Sequence, residues 1–229
     1  NWSIFENIDK LSMQVADDIL DMAKISIKST GSFKIVLAGG KSLIPTYKIL
    51  SHSNADWSRW HIYIGDERCL PLKNKERNDH NINIVWLNNS PIPKKNIHFI
   101  RAELDAKQAV RHYETTLKEV ENFDVTLLSM GEDGHTASLF PGHQYDNKRD
   151  VVIINNSPKK PKQRISLSYS RLNRSNKVFK IISGSSKCNA VRQWLNNIQL
   201  PINQINGNSE KVYLSQNTLP SKFKKSLFL

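Results

Sequence analysis

The stretch Asp124–His143, DVTLLSMGEDGHTASLFPGH, decides the fold. Val125–Met130 is a short apolar run with β-branched residues and no internal breaker, the pattern of a strand buried on both faces. Gly131-Glu132-Asp133-Gly134 ends it with two glycines, which tolerate backbone angles that other residues avoid. His135-Thr136 follows, and the small and apolar residues beyond predict a short helix ending before Pro141-Gly142. An acid and a histidine at the end of a buried strand fall on the carboxyl edge of a sheet, where open α/β sheets bind ligands. A tight turn with a solvated Asp133 and His135 fits the same spacing equally well.

Working outward, strand and helix patterns alternate. Ile8, Leu11, Val15, Ile19 and Met22 recur every three or four residues, which predicts an amphipathic helix, with Ser3 and Glu6 as its capping box. Phe33–Ala38 reads as a strand ended by Gly39-Gly40, and a helix follows with Ser42 as its cap and Pro45 in its first turn. Further strands are expected at His61–Ile64, Ile97–Ile100, Val151–Ile154, Arg164–Ser168, Val178–Ile182 and Val212–Leu214. Helices are expected at Asn81–Leu87, at Asp105–Val120 and after Gly184-Ser185-Ser186-Lys187. This alternation predicts an α/β sandwich with a mostly parallel sheet. Pro158–Lys162, PKKPK, is the most linker-like piece and is too short to divide domains, so residues 1–229 read as one domain.

A chain of 229 residues buries roughly 70–75% of its unfolded surface, enough for a full core. It carries 33 basic and 21 acidic residues, a net charge of +12, which favours anionic partners. The basic residues are scattered, with small clusters at Lys94-Lys95, Lys159-Lys160 and Lys222-Lys224-Lys225, and read mostly as solvated surface. No specific nucleic-acid partner and no membrane partner is expected. Two distant cysteines, Cys69 and Cys188, and the lack of a basic leader before an apolar segment lead to the expectation of a cytoplasmic protein without a signal peptide.

The block Asp133–His143, DGHTASLFPGH, closely resembles the signature of the 6-phosphogluconolactonases, lactone hydrolases of the oxidative pentose phosphate pathway. Gly65–Pro71, GDERCLP, resembles that family's GDERCVP. Gly39-Gly40-Lys41-Ser42 stands where the family carries a Gly-Gly-Ser-Thr-Pro-like run, and Arg77-Asn78 where it has Ser-Asn. The segments holding Arg164 and Lys187 are similar to the family's SPKPP…RIT and TG…K. The resemblance implies a three-layer, Rossmann-like α/β sandwich with helices on both faces, shared with the glucosamine-6-phosphate deaminases. It also implies hydrolysis of 6-phospho-D-glucono-1,5-lactone with no metal or organic cofactor; a monomer or weak homo-oligomer is expected.

Lactone hydrolysis needs a base, stabilisation of an oxyanion and a proton for the departing ring oxygen. A free histidine titrates near ~6.5, so His135 suits the base and then the acid. Asp133 is placed to hold or tune it. Arg68 offers a donor fork for an anion or oxyanion, and Asp66 is expected to orient Arg68 or His135. These four form the expected catalytic set. A glycine turn before a helix is a natural phosphate cradle, which makes Gly39, Gly40, Lys41 and Ser42 phosphate candidates, although a simple tight turn explains them too. The resemblance adds Arg164 and Lys187, expected at the ends of neighbouring strands. Two alternatives stand beside a lactonase. A deaminase is disfavoured because Phe140 occupies the position of that family's catalytic Glu and Arg68 that of its usual Tyr. An inactive sugar-phosphate-binding protein is disfavoured by the retention of Asp66, Arg68, Asp133 and His135.

Overall fold

The computed structural model describes residues 2–220, and the Lys222, Lys224 and Lys225 cluster lies outside them. The chain opens with strand β1 (Trp2–Phe5), which the sequence reading did not anticipate, and helix α1 (Ile8–Thr30). Leu11, Val15 and Ile19 are buried on the predicted face of α1. The expected capping box is not used. Ser3 is held in β1 opposite Tyr213, and Asn7 caps the helix instead, its Oδ1 accepting the Lys10 N–H at 3.0 Å.

Strand β2 (Phe33–Leu37), helix α2 (Ile44–Ser51) and strand β3 (Trp60–Ile64) follow as a parallel crossover. Pro45 sits in the first turn of α2 as expected, but Ser42 does not cap it; its Oγ donates to the Ser183 carbonyl at 3.4 Å. Strand β4 (Asp66–Arg68) then leaves the main sheet. Helix α3 (Asn78–Val85) begins three residues earlier than predicted. The Glu67 carboxylate causes this shift by accepting the N–H groups of Asn78 and Asp79, each at 2.8 Å. Strand β5 (Ile97–His98), helix α4 (Ala106–Leu117, capped by Asp105) and strand β6 (Phe123–Ser129) complete the first half.

The second half holds β7 (Val151–Ile154), β8 (Arg164–Leu167), α5 (Tyr169–Asn173), β9 (Ser175–Ile182), α6 (Cys188–Leu195) and β10 (Glu210–Ser215). Seven strands form a wholly parallel sheet in the order β1-β10-β9-β6-β2-β3-β5. A second, antiparallel sheet in the order β4-β8-β7 lies apart from it and packs against α4. Strand β6 is the middle strand, and every residue from Phe123 to Leu128 is buried, so both faces of the sheet are covered, as its apolar run predicted.

From β2 the chain builds the sheet outward through β3 to β5; from β6 it builds the other way, through β9 to β10. The turns leaving β2 and β6 therefore diverge, and the space between them at the carboxyl edge is the topological switch point. No helix among the described residues is long and apolar enough to cross a membrane.

Candidate active site

A cleft of about 200 Å³ opens at this switch point. Its wall is assembled from Gly39 and Gly40 after β2, Asp66 and Arg68 in β4, Asn78 at the start of α3, Ser129–Glu132 and His135 after β6, and Arg164 and Lys187. Lys159, Ala137 and Phe140 close it.

The turn after β6 does not become a helix. Thr136 and Leu139 pair backbone to backbone, Ala137 takes the left-handed conformation at φ +48°, and the Thr136 Oγ1 donates to the Ser129 carbonyl at 2.9 Å. Side-chain hydroxyls here compete for backbone and carboxylate partners that a helix would not offer, and they win. The Ser138 Oγ donates to Asp66 Oδ2 at 2.5 Å.

This turn presents His135 with its Nδ1 2.5 Å from Asp133 Oδ1. Burial raises the Asp133 carboxyl, but the hydrogen bond and charge of His135 outweigh it and hold the group down at about 2. Ionised Asp133 only accepts, so Nδ1 carries the imidazole proton and Nε2 keeps the lone pair. The pair fits only because residue 131 is glycine: a Cβ there would lie 2.1 Å from His135 Nδ1 and 2.7 Å from Asp133 Oδ1.

The loop after β3 is built around a buried charged hub. Glu67, fully buried, accepts from the backbone N–H groups of Arg68, Asn78 and Asp79. Burial and the Asp79 carboxylate push its carboxyl upward, against those three donors. Arg77, also buried, forks onto Asp79 at 2.9 and 2.6 Å and reaches the Leu70 carbonyl at 2.8 Å and Glu103 at 3.3 Å. The hub holds Asn78 against Asp66, whose carbonyl and Oδ1 accept from Asn78 Nδ2 at 2.8 and 3.1 Å. Gly39 is needed on the other side, since a Cβ there would sit 2.0 Å from Asn78 Oδ1.

Four cations line the cleft: Arg68, Lys159, Arg164 and Lys187. Arg68 donates to the Glu76 carbonyl, and its buried Nε has no protein partner. Arg164 is buried; it donates to the carbonyls of Lys159, Lys160 and Pro161 at 3.3–3.4 Å and lies 5.6 Å from the centre of the Phe140 ring. Burial lowers both Arg164 and Lys187 from their ordinary values. Phe140 also packs against the His135 ring at 4.6 Å. Among the described residues no group of three His, Cys, Asp or Glu side chains is gathered for a metal ion.

The family model for glucosamine-6-phosphate isomerases/6-phosphogluconolactonase matches residues 6–214. The chain belongs to that family. The 6-phosphogluconolactonase 3, chloroplastic, of Arabidopsis thaliana is 36% identical over 215 residues, covering 84% of this chain and 65% of the relative. The chain thus spans just under two thirds of the length of that plant relative. The 6-phosphogluconolactonase of Thermotoga maritima is 33% identical over 181 residues, covering 78% of this chain and 82% of the relative. A crystal structure of 6-phosphogluconolactonase from Thermotoga maritima matches with a TM-score of 0.84 at 28% identity, covering 93% of this chain and 98% of that one.

Set against the family signature, the structure gathers Gly39, Gly40, Asp66, Arg68, His135, Arg164 and Lys187 on one cleft, with Asp133 bound to His135. Lys41 and Ser42 are not on the lining; Lys41 is exposed and Ser42 turns to Ser183. Asp66 binds Asn78 and Ser138 rather than Arg68 or His135. Arg164 and Lys187 do not end neighbouring strands: one begins β8 of the antiparallel sheet, the other follows β9 of the parallel one. The sequence reading assigned no site role to Asn78, Ser129, Glu132 or Lys159. Lys159 had a visible signal, the PKKPK run just before Arg164. Arg77, where the family has Ser, is a buried strut of the site loop.

Proposed function

We propose that this chain hydrolyses 6-phospho-D-glucono-1,5-lactone to 6-phospho-D-gluconate. The observation that carries the reading is the Asp133–His135 pair, with His135 on the wall of a cleft that Arg68, Lys159, Arg164 and Lys187 also line. The relatives named 6-phosphogluconolactonase support the same substrate. Phe140 beside His135 supports it against a deaminase, which needs a carboxylate at that position.

His135 Nε2 takes a proton from water as the water oxygen attacks the lactone carbonyl carbon. The tetrahedral oxyanion is stabilised by Arg68, which lines the cleft and whose buried Nε has no partner among the described residues. On collapse the bond from that carbon to the ring oxygen breaks, and the protonated His135 returns its proton to the ring oxygen. Asp133 keeps the ring in one tautomer and offsets the imidazolium charge. Asp66 acts at one remove, by holding Asn78 and Ser138. Arg164, Lys187 and the backbone at Gly39-Gly40 hold the phosphate. Lys41 and Ser42, off the lining, are left to a secondary role in that turn. The reading treats residues 1–229 as one domain, because the first and last strands share the sheet that carries the site.

The test follows acid release from freshly prepared lactone in weak buffer, with and without protein, beside ammonia release from glucosamine 6-phosphate. Acid release no faster than the uncatalysed background, or release of ammonia, rejects the reading.

A further inference from the structure

Glu132 faces the cleft from the turn after β6, one residue before Asp133. Its Oε2 accepts from Lys159 Nζ at 3.3 Å, and Lys187 lines the same mouth. Glu132 comes from the turn after β6 and Lys159 from the segment before β8, so the contact joins two separate parts of the cleft lining. The Glu132 carboxyl is lowered chiefly by Lys159, then by Lys187 and Ser186. Exposed ion pairs usually add little to stability. This one engages Lys159, which lines the cleft together with the Lys187 assigned to the phosphate.

The geometry points to Glu132 as a latch on the phosphate end of the cleft, a tethered carboxylate that sits on Lys159 beside Lys187 until a phosphate dianion displaces it. This rests on the phosphate assignment above. A tethered carboxylate competes at an effective concentration of order mM, and it weakens every ligand that must displace it by the same factor. A phosphate ester carries about −1.5 to −2 at neutral pH and offers three strong acceptors, so it outcompetes a single carboxylate. The residue thereby loosens the phosphorylated ligand, and its return favours product departure.

The experiment is calorimetric titration of wild type, Glu132→Gln, Lys159→Met and the double variant with 6-phosphogluconate and with gluconate. Glu132→Gln is expected to tighten 6-phosphogluconate by about two- to fivefold and to leave gluconate, which has no phosphate to place on Lys159, nearly unchanged. In the Lys159→Met background the gain should shrink towards none, since a contact produces coupling. Unchanged binding in Glu132→Gln overturns the proposal. So does a gain of the same size with and without Lys159, which marks only a long-range field. Melting temperatures of all four proteins separate binding effects from damage to the fold. Turnover is not needed for this readout, so coupled binding in a protein without lactonase activity sinks the functional reading and leaves the latch standing.

Discussion

Replacing Gly131 with Ala tests the His135–Asp133 pair without touching either residue. Gly131 is not in the left-handed region, so its backbone accepts an L side chain. The added Cβ would lie 2.1 Å from His135 Nδ1, 2.2 Å from Cε1 and 2.7 Å from Asp133 Oδ1, where ordinary contact begins at 3.4 Å. The imidazole must retreat by more than an ångström, and the 2.5 Å hydrogen bond to Asp133 cannot survive that shift. Displacing a catalytic group by about 1 Å costs roughly 10²-fold in rate. Stability should move little, because the ring is only partly buried and free to rotate away, and loss of glycine entropy in the unfolded chain contributes about 0.4–1 kcal/mol in the opposite sense. The expected result is a melting temperature within about 4 °C of wild type and a kcat reduced by about 10²-fold, measured by acid release on fresh lactone. A folded Gly131→Ala protein with near wild-type kcat would refute the reasoning, since the pair would then be incidental to turnover.

Three further outcomes follow from the same geometry. Asp133, held down at about 2, stays ionised through the working range and remains an acceptor for His135 Nδ1. Asp133→Asn should lower kcat, because the imidazolium loses its counter-ion; an unchanged kcat counts against the pairing. The folded-state value of Asp133 is depressed, so the stability it contributes is present above about 3.9, the unfolded value, and is lost as pH falls towards about 2. Acid titration of the melting temperature, wild type against Asp133→Asn, checks this. Lys187→Ala should raise KM for the phosphorylated lactone by roughly 10- to 150-fold and leave unphosphorylated gluconolactone nearly unaffected; equal losses on both remove Lys187 from the phosphate site. Arg77→Ala strips a buried hub of its cation, and breaking such a pair costs about 3–5 kcal/mol. Calorimetry should show a fall of several degrees or more, and an unchanged melting temperature would show that the hub does not hold the loop.

Local pattern carried the parallel half of this protein. The apolar runs of β2, β3, β6 and β9 and the faces of α1 and α4 are visible because hydrophobic periodicity is a property of adjacent residues. The short motifs around Asp66, Asp133 and His135 are contiguous, so they too could be read along the chain. Partners far apart in sequence decided the rest. Strand β1 is a strand only because β10, about two hundred residues on, supplies its ladder. Helix α3 starts at Asn78 because Glu67 caps it from another element, and the turn after His135 stays non-helical because Asp66 and the Ser129 carbonyl claim its hydroxyls. Lys41 reads as a phosphate ligand in the chain and lies off the cleft in space, whereas Lys159 reads as part of a linker and lines it. A side chain's role in a site depends on which way its loop is turned by contacts across the fold, and no local pattern encodes that direction.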